Sequence, residues 1–319
     1  MLKNQISNSE QRKISQSTLI FVTNPNQPMH YTIQSETLLV TVNQRGMELS
    51  SLKSKITGQE YLWQGDPQFW TGQAPILFPI IGALKDGKTS YEGKTYILPK
   101  HGFVRNSDQA KLIKQLSDTL VFRLDSTPET LEVYPFAFAL EVSFRVSGNS
   151  LEISHEVYNL DRKPLYYSLG GHPAFNCPLL AGESLEEYRI EFPQVEHDST
   201  WMITPEGLIG EKGEMILDSS NEIHLHAQIF DQDALIFKAL KSREVSLTHC
   251  DRGPIVKMDF DDFDYLGIWA KPGAPFVCLE PWLGIADASD HSGQLNEKEG
   301  IRRIEPGESE RKKYSIRVY

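Results

Sequence analysis

A two-residue alternation of apolar and polar side chains runs through most of this chain, and it restricts the possible folds more than any other feature. Leu38, Val40 and Val42 fall on one face of an extended segment and Leu39, Thr41 and Asn43 on the other, the period of a strand. The clearest case is a hairpin. Leu140, Val142, Phe144 and Val146 alternate with Glu141, Ser143 and Arg145, Gly148-Asn149 supplies the turn, and Leu151, Ile153 and Val157 alternate back. One face of this hairpin must be buried, and His155, which lies on it, reads as core. Further strands are predicted at 89–91 with 95–98, and at 188–192, 222–229, 234–240, 244–247, 255–260, 266–270, 276–279 and 313–318, whereas helical periodicity is scarce. Many short strands separated by Gly, Pro, Asn and Asp predict an all-β sandwich or barrel rather than a βαβ protein.

No repeat, low-complexity block or linker divides the chain after its start. Residues 1–28, rich in Asn, Gln, Ser and Lys without periodicity, are expected to form an arm or poorly ordered extension. Residues 29–319 are expected to form one large domain, a length that all-β folds reach around a single core. The formal charge of -11 disfavours nucleic acid and anionic lipid as partners. Three cysteines without a CxxC pair argue against a disulfide framework and for buried thiols in a reducing compartment. No apolar stretch is long enough to span a bilayer, and Leu19 to Val22 is too short for a signal sequence. A cytoplasmic location is therefore expected; oligomeric state is not readable.

Three segments break the strand pattern by setting a histidine or carboxylate among glycine, proline and aromatic residues, where strands meet loops and sites are usually built. They are residues 98–106 (LPKHGFVRN), 168–176 (SLGGHPAFN) and 276–284 (FVCLEPWLG). In the third, Glu280 follows an apolar run and is predicted at the end of a central strand, where a charge needs a partner or a task. His172 follows two glycines, which permit close backbone approach or positive φ, and precedes a proline that fixes the exit of the chain. Each of Glu280, His172 and His101 is readable singly as a satisfied structural residue or as a proton-transfer group.

In their order along the chain these segments resemble the aldose 1-epimerase family, most closely its LacX-type branch, from about Tyr31 to the C-terminus. The carriers are residues 61–67 (YLWQGDP), 74–82 (APILFPIIG), 101–105 (HGFVR), 171–175 (GHPAF) and 279–282 (LEPW); the HGF-x-R segment is shared with hexose-6-phosphate mutarotase-like proteins. The resemblance implies a large antiparallel β-sandwich, the galactose mutarotase-like supersandwich, holding a sugar on its concave face. It implies Glu280 as general base, His172 as general acid, His101 as a second histidine that orients the sugar, and Asp233 as a substrate-binding aspartate. One departure concerns specificity: the Phe-Pro-x-x-Gly stretch usually continues with an arginine facing the sugar, and here Ala83 follows. Either that contact is missing or Arg105 supplies the charge.

The implied reaction, opening and reclosing a hexose ring, needs one acid and one base and neither metal nor cofactor. An ionised Glu280 and a protonated His172, each favoured by the other's charge, would meet it. Trp63, Phe103, Phe175, Trp269 and Trp282 are readable as sugar-facing rings or as sandwich core, with Phe175 and Trp282 taken as substrate contacts. Arg105 is readable as a fork for a hydroxyl or phosphate or as a structural ion pair. Two rivals stand beside this reading: a metallohydrolase using His224-x-His226 on one side of a strand, and a carbohydrate-binding or regulatory protein without turnover.

Overall fold

The structure, a computed structural model, describes residues 29–319; the arm expected over residues 1–28 lies outside the described residues. Strands dominate, and the pairings within the large sheets are antiparallel. A nine-stranded sheet runs, in spatial order, Leu217–His224, Tyr188–Asp198, Glu244–His249, Gly253–Asp259, Ser309–Val318, Ser150–Asn159, Phe138–Ser147, Thr119–Asp125 and Lys111–Gln115. A second sheet runs Leu235–Phe237, Tyr265–Trp269, Phe276–Leu283, Leu169–Gly171 and Ile76–Leu77, with Ala174–Asn176 also pairing to Phe276–Leu283. His30–Gln34, Leu38–Asn43 and Glu48–Ser54 form a small third sheet.

The predicted hairpin is present in the predicted register. Val146 pairs with Leu151, Phe144 with Ile153 and Leu140 with Val157, and the side chains of this face are buried together. The two large sheets pack closely enough that a Cβ on Gly171 of the second would lie 2.6 Å from the Tyr314 hydroxyl of the first. That contact lets the second sheet sit on the core with one face and carry a cavity on the other.

One predicted strand is misplaced. The alternation of Ile223, Leu225, Ala227 and Ile229 reads as a strand, yet pairing stops at His224. Beyond it the backbone closes successive turns, Ile229 N–H to His226 O, Asp231 N–H to Gln228 O and Asp233 N–H to Phe230 O. His224 is exposed and faces its strand neighbour Glu222 at 3.1 Å. Among the described residues, neither His224 nor His226 belongs to a group of three close ligand atoms, so the pair suggested for a metallohydrolase has no third member.

His155 is fully buried and stacks on Tyr314 with ring centroids 5.9 Å apart. Burial without compensating charge holds its imidazole down to about 4, against an ordinary 6.5. On acidification the unfolded chain takes up this proton first. The stabilisation is therefore complete above pH 6.5 and is lost as pH falls from there toward about 4. A shift of this size is worth on the order of 3 kcal/mol. His155→Phe keeps a ring against Tyr314 and removes the titration, so its urea midpoint should fall less than the wild type's between about pH 7 and about pH 4.5. Equal acid sensitivity of the two proteins would contradict the assignment.

Candidate active site

The central strand of the second sheet, Phe276–Leu283, does not end at Glu280 as its sequence suggests but continues through Pro281, Trp282 and Leu283. On one side it pairs with Tyr265–Trp269, Gly267 opposite Glu280. On the other, Leu169 and Gly170 pair with Leu283 and Trp282, and the same register resumes at Ala174 opposite Cys278. His172 lies in the gap between these two short strands, across from Glu280. Directly opposed residues of an antiparallel pair project side by side from one face. The register thus brings two residues distant in the chain to within 3.3 Å, His172 Nε2 to Glu280 Oε2.

The glycines around this pair provide room. A Cβ on Gly267 would stand 2.6 Å from the Trp282 ring, and one on Gly170 would stand 2.8 Å from the same indole. Neither Gly170 nor Gly171 has positive φ, so of the two uses suggested by the sequence, close approach is the one realised.

Above the pair lies a cavity of about 300 Å³, lined by Glu280, His172, His101, Arg105, Asp233 and Trp282, with Trp70, Lys100 and Trp269 completing much of its wall. All but one of the residues singled out for the site are thereby brought together. The exception is Phe175: its side chain is fully buried in the core, because Ala174–Asn176 pairs Phe175 with Val277, a register position of opposite parity to that of His172 and Glu280. Trp63 and Phe103 also pack in or against the core, while Trp269 faces the cavity.

Two contributors carry no role in the sequence reading. Trp70 stacks on the His172 ring at 4.9 Å and 28°. Its backbone carbonyl accepts a hydrogen bond from Trp63 Nε1 at 2.8 Å, so the Tyr-Leu-Trp segment serves to hold a second tryptophan. Lys100, next to His101 in sequence, is the other. A Cβ on Gly207 would be 3.4 Å from Ala83 Cβ and 4.0 Å from Lys100 Nζ. Gly207 is thus bordered both by the alanine that stands where an arginine is expected after Gly82 and by the ammonium group of Lys100. Among the described residues neither Lys100 nor Arg105 forms an ion pair, and a cation next to a candidate histidine is the signal that picks out Lys100.

Burial dominates the electrostatics of the site. Burial pushes the Glu280 carboxyl well above the usual carboxylate range, opposed chiefly by Lys100, and pushes His172 down to about 3, aided by Arg105. Burial thus works against the ion pair expected from sequence, raising the carboxyl and lowering the imidazole. Among the described residues, Glu280 Oε2 and His172 Nδ1 are buried without hydrogen-bond partners. His101 is neutral for the same reason, held well below 6.5 by burial and by the neighbouring His172. Its Nδ1 accepts a hydrogen bond from Gly82 N–H at 3.1 Å, which assigns its proton to Nε2.

A concave, apolar-walled hollow with a buried carboxyl and imidazole at its floor defines the class: a β-sandwich carrying a small-molecule-sized pocket. A family model described as aldose 1-epimerase matches residues 29–302. The plasmid and chromosomal forms of Protein LacX from Lactococcus lactis subsp. lactis are 35% identical over 299 residues, 91% of this chain and 99% of theirs. A galactose mutarotase related enzyme from Lactobacillus acidophilus superposes with a TM-score of 0.85 at 32% identity, covering 91% of this chain and 97% of that one. A galactose mutarotase-like protein from Lactobacillus casei ATCC 334 does so with a TM-score of 0.85 at 28% identity, covering 91% and 100%. The chain belongs to the aldose 1-epimerase family, and its fold is the galactose mutarotase-like antiparallel β-sandwich.

The loop that carries His101 depends on Gly102, whose φ is +73° and where a Cβ would lie 2.1 Å from the Phe78 carbonyl oxygen. Gly102→Ala should cost about 1–3 kcal/mol in backbone strain alone, and more once the clash moves His101. Urea unfolding measures it, and wild-type stability of the variant would remove the structural role given to this glycine.

Proposed function

We propose that the protein is an aldose 1-epimerase that interconverts the α and β anomers of a hexose. The observation that carries this reading is the buried pair Glu280 and His172, 3.3 Å apart on the floor of the cavity. A hemiacetal has two oxygens on one carbon, the C1 hydroxyl and the ring oxygen. A proton acceptor and a proton donor that are neighbours therefore reach both at once.

In the productive state Glu280 accepts the C1 hydroxyl proton while His172 delivers one to the ring oxygen. The C1–O5 bond breaks, C1 becomes an aldehyde, rotation about C1–C2 presents its other face, and the same transfers in reverse close the ring. Nothing is oxidised and no covalent intermediate forms. Burial disfavours separated charges in the pair, so a protonated carboxyl beside a neutral imidazole is the starting form of this reading. Moving the proton from carboxyl to imidazole yields the carboxylate and imidazolium that the reaction uses, and a sugar hydroxyl donating to Glu280 favours that form. His101, carrying its proton on Nε2, donates to a sugar oxygen, Arg105 and Asp233 bind hydroxyls, and Trp282 and Trp269 offer apolar faces to C–H groups.

A second reading, a phosphorylated hexose as substrate, is favoured by Lys100 and Arg105, two cations on the cavity wall without ion-pair partners among the described residues. Anomer exchange followed by NMR over free aldoses and hexose 6-phosphates separates the two. Under the second reading Arg105→Ala raises KM for phosphorylated sugars alone.

Glu280→Gln preserves the shape of the base and removes its function, and should slow exchange of a competent sugar about 10²–10⁴-fold, with His172→Gln similar. A Glu280→Gln protein as fast as wild type would refute the assignment. Calorimetric sugar binding by the wild type without faster exchange would leave a carbohydrate-binding protein instead.

A further inference from the structure

A third side chain with donor chemistry lies buried beside the floor of the cavity, behind the residues that line it, and has no part in the acid/base step. Cys278 precedes Glu280 by two residues on the same strand, so the two project from the same face. Its sulfur, a nitrogen of His172 and a carboxylate oxygen of Glu280 all lie within 4.8 Å of one another. The three side chains are buried, with Glu280 2% and His172 7% exposed, and Glu280 Oε2 and His172 Nδ1 lack hydrogen-bond partners.

We propose that Cys278, His172 and Glu280 form an inhibitory site for a thiophilic divalent cation of the zinc class. Sulfur, imidazole nitrogen and carboxylate oxygen are the donors such ions select, at about 2.0–2.3 Å. Small rotamer adjustments draw the three atoms onto one centre. The cavity, which His172 and Glu280 line, provides the route of entry and leaves the fourth tetrahedral position open to water or a sugar hydroxyl. On binding, the protons of the thiol and of a protonated Glu280 carboxyl pass to solvent and no electron moves. The lone pairs that would exchange the substrate's protons are then held by the ion, and turnover stops. The inhibition rests on the epimerase reading; the binding does not.

The other close trio, His249, Cys250 and Asp251, is a poor competitor, because His249 Nδ1 already accepts hydrogen bonds from the Asp251 and Arg252 backbone N–H groups. Its exposed thiol is nevertheless removed for the test. Cobalt(II) is titrated into the Cys250→Ser protein, and a thiolate-to-cobalt charge-transfer band with the strong visible absorption of tetrahedral cobalt is expected. Adding Cys278→Ala should abolish the band and weaken cobalt binding by at least the roughly 10–100-fold that losing a group which merely orients a metal ligand costs. Cys278→Ser, closer in size, serves if the alanine protein does not fold.

No band in the Cys250→Ser protein, or one that survives loss of Cys278, overturns the site. Zinc at concentrations that displace cobalt should stop anomer exchange in the Cys250→Ser protein, reversibly on chelation, and not in the Cys278 variant. Exchange that continues with zinc bound overturns the inhibition. If no sugar is turned over at all, the cobalt spectrum still decides the site, and a missing band in an active enzyme removes the metal proposal alone.

Discussion

The registry of three adjacent strand segments governs the cavity. Phe276–Leu283 pairs with Tyr265–Trp269 on one side and with the interrupted strand around His172 on the other. A slip of one residue would turn Glu280 into the core and Leu279 into the cavity. Nothing local to Glu280 prevents this; the apolar residues of the opposite face do. Val277, Leu279 and Leu283 are buried, and exposing them would forfeit about 1.5–3 kcal/mol each. The core thus fixes the position of a carboxyl that is itself costly to bury.

Much of this is legible in the chain, and the remainder is hidden for identifiable reasons. The hairpin of Phe138–Ser147 and Ser150–Asn159 is readable because one face is core and the other is largely solvated, which gives clean alternation. Residues 276–283 give no such signal. Both faces of that strand are buried, so its pattern is continuous, and Pro281 suggests an end where pairing in fact continues. Phe175 misleads because adjacency to His172 in sequence says nothing about which face a residue takes, and in a strand odd and even offsets part company. Trp70 is invisible because its role comes from a loop held by Trp63. The alternation of 222–229 fails through local turn bonds that compete with pairing.

Burial sets this pair of groups apart from the same two groups in water. In water a carboxyl and an imidazole would ionise independently near their ordinary values. Enclosed by Trp70, Trp269 and Trp282, each charge is penalised, which raises the carboxyl and lowers the imidazole. Lys100 and Arg105 at the wall favour the ionised carboxyl and disfavour the ionised imidazole, so they tune the balance from a distance without forming an ion pair.

The second histidine is held by a different part of the fold, and the connection can be followed bond by bond. Lys298 and Asp287, both buried, pair at 2.5 Å, and the lysine also donates to the Ile285 carbonyl. Asp287 accepts from Lys85 N–H at 2.9 Å and its own N–H donates to the Ala83 carbonyl at 3.0 Å. These bonds clamp the 83–85 segment against 285–287, so tightly that a Cβ on Gly82 would stand 2.3 Å from the Ala286 Cβ across the contact. Gly82 in turn donates its N–H to His101 Nδ1 and accepts from His101 N–H. A buried ion pair is seldom a net source of stability, and its best-attested worth is in specifying geometry. Here the geometry it specifies is the tautomer of an imidazole on the cavity wall, which makes the clamp, rather than His101 itself, the origin of the proton on Nε2.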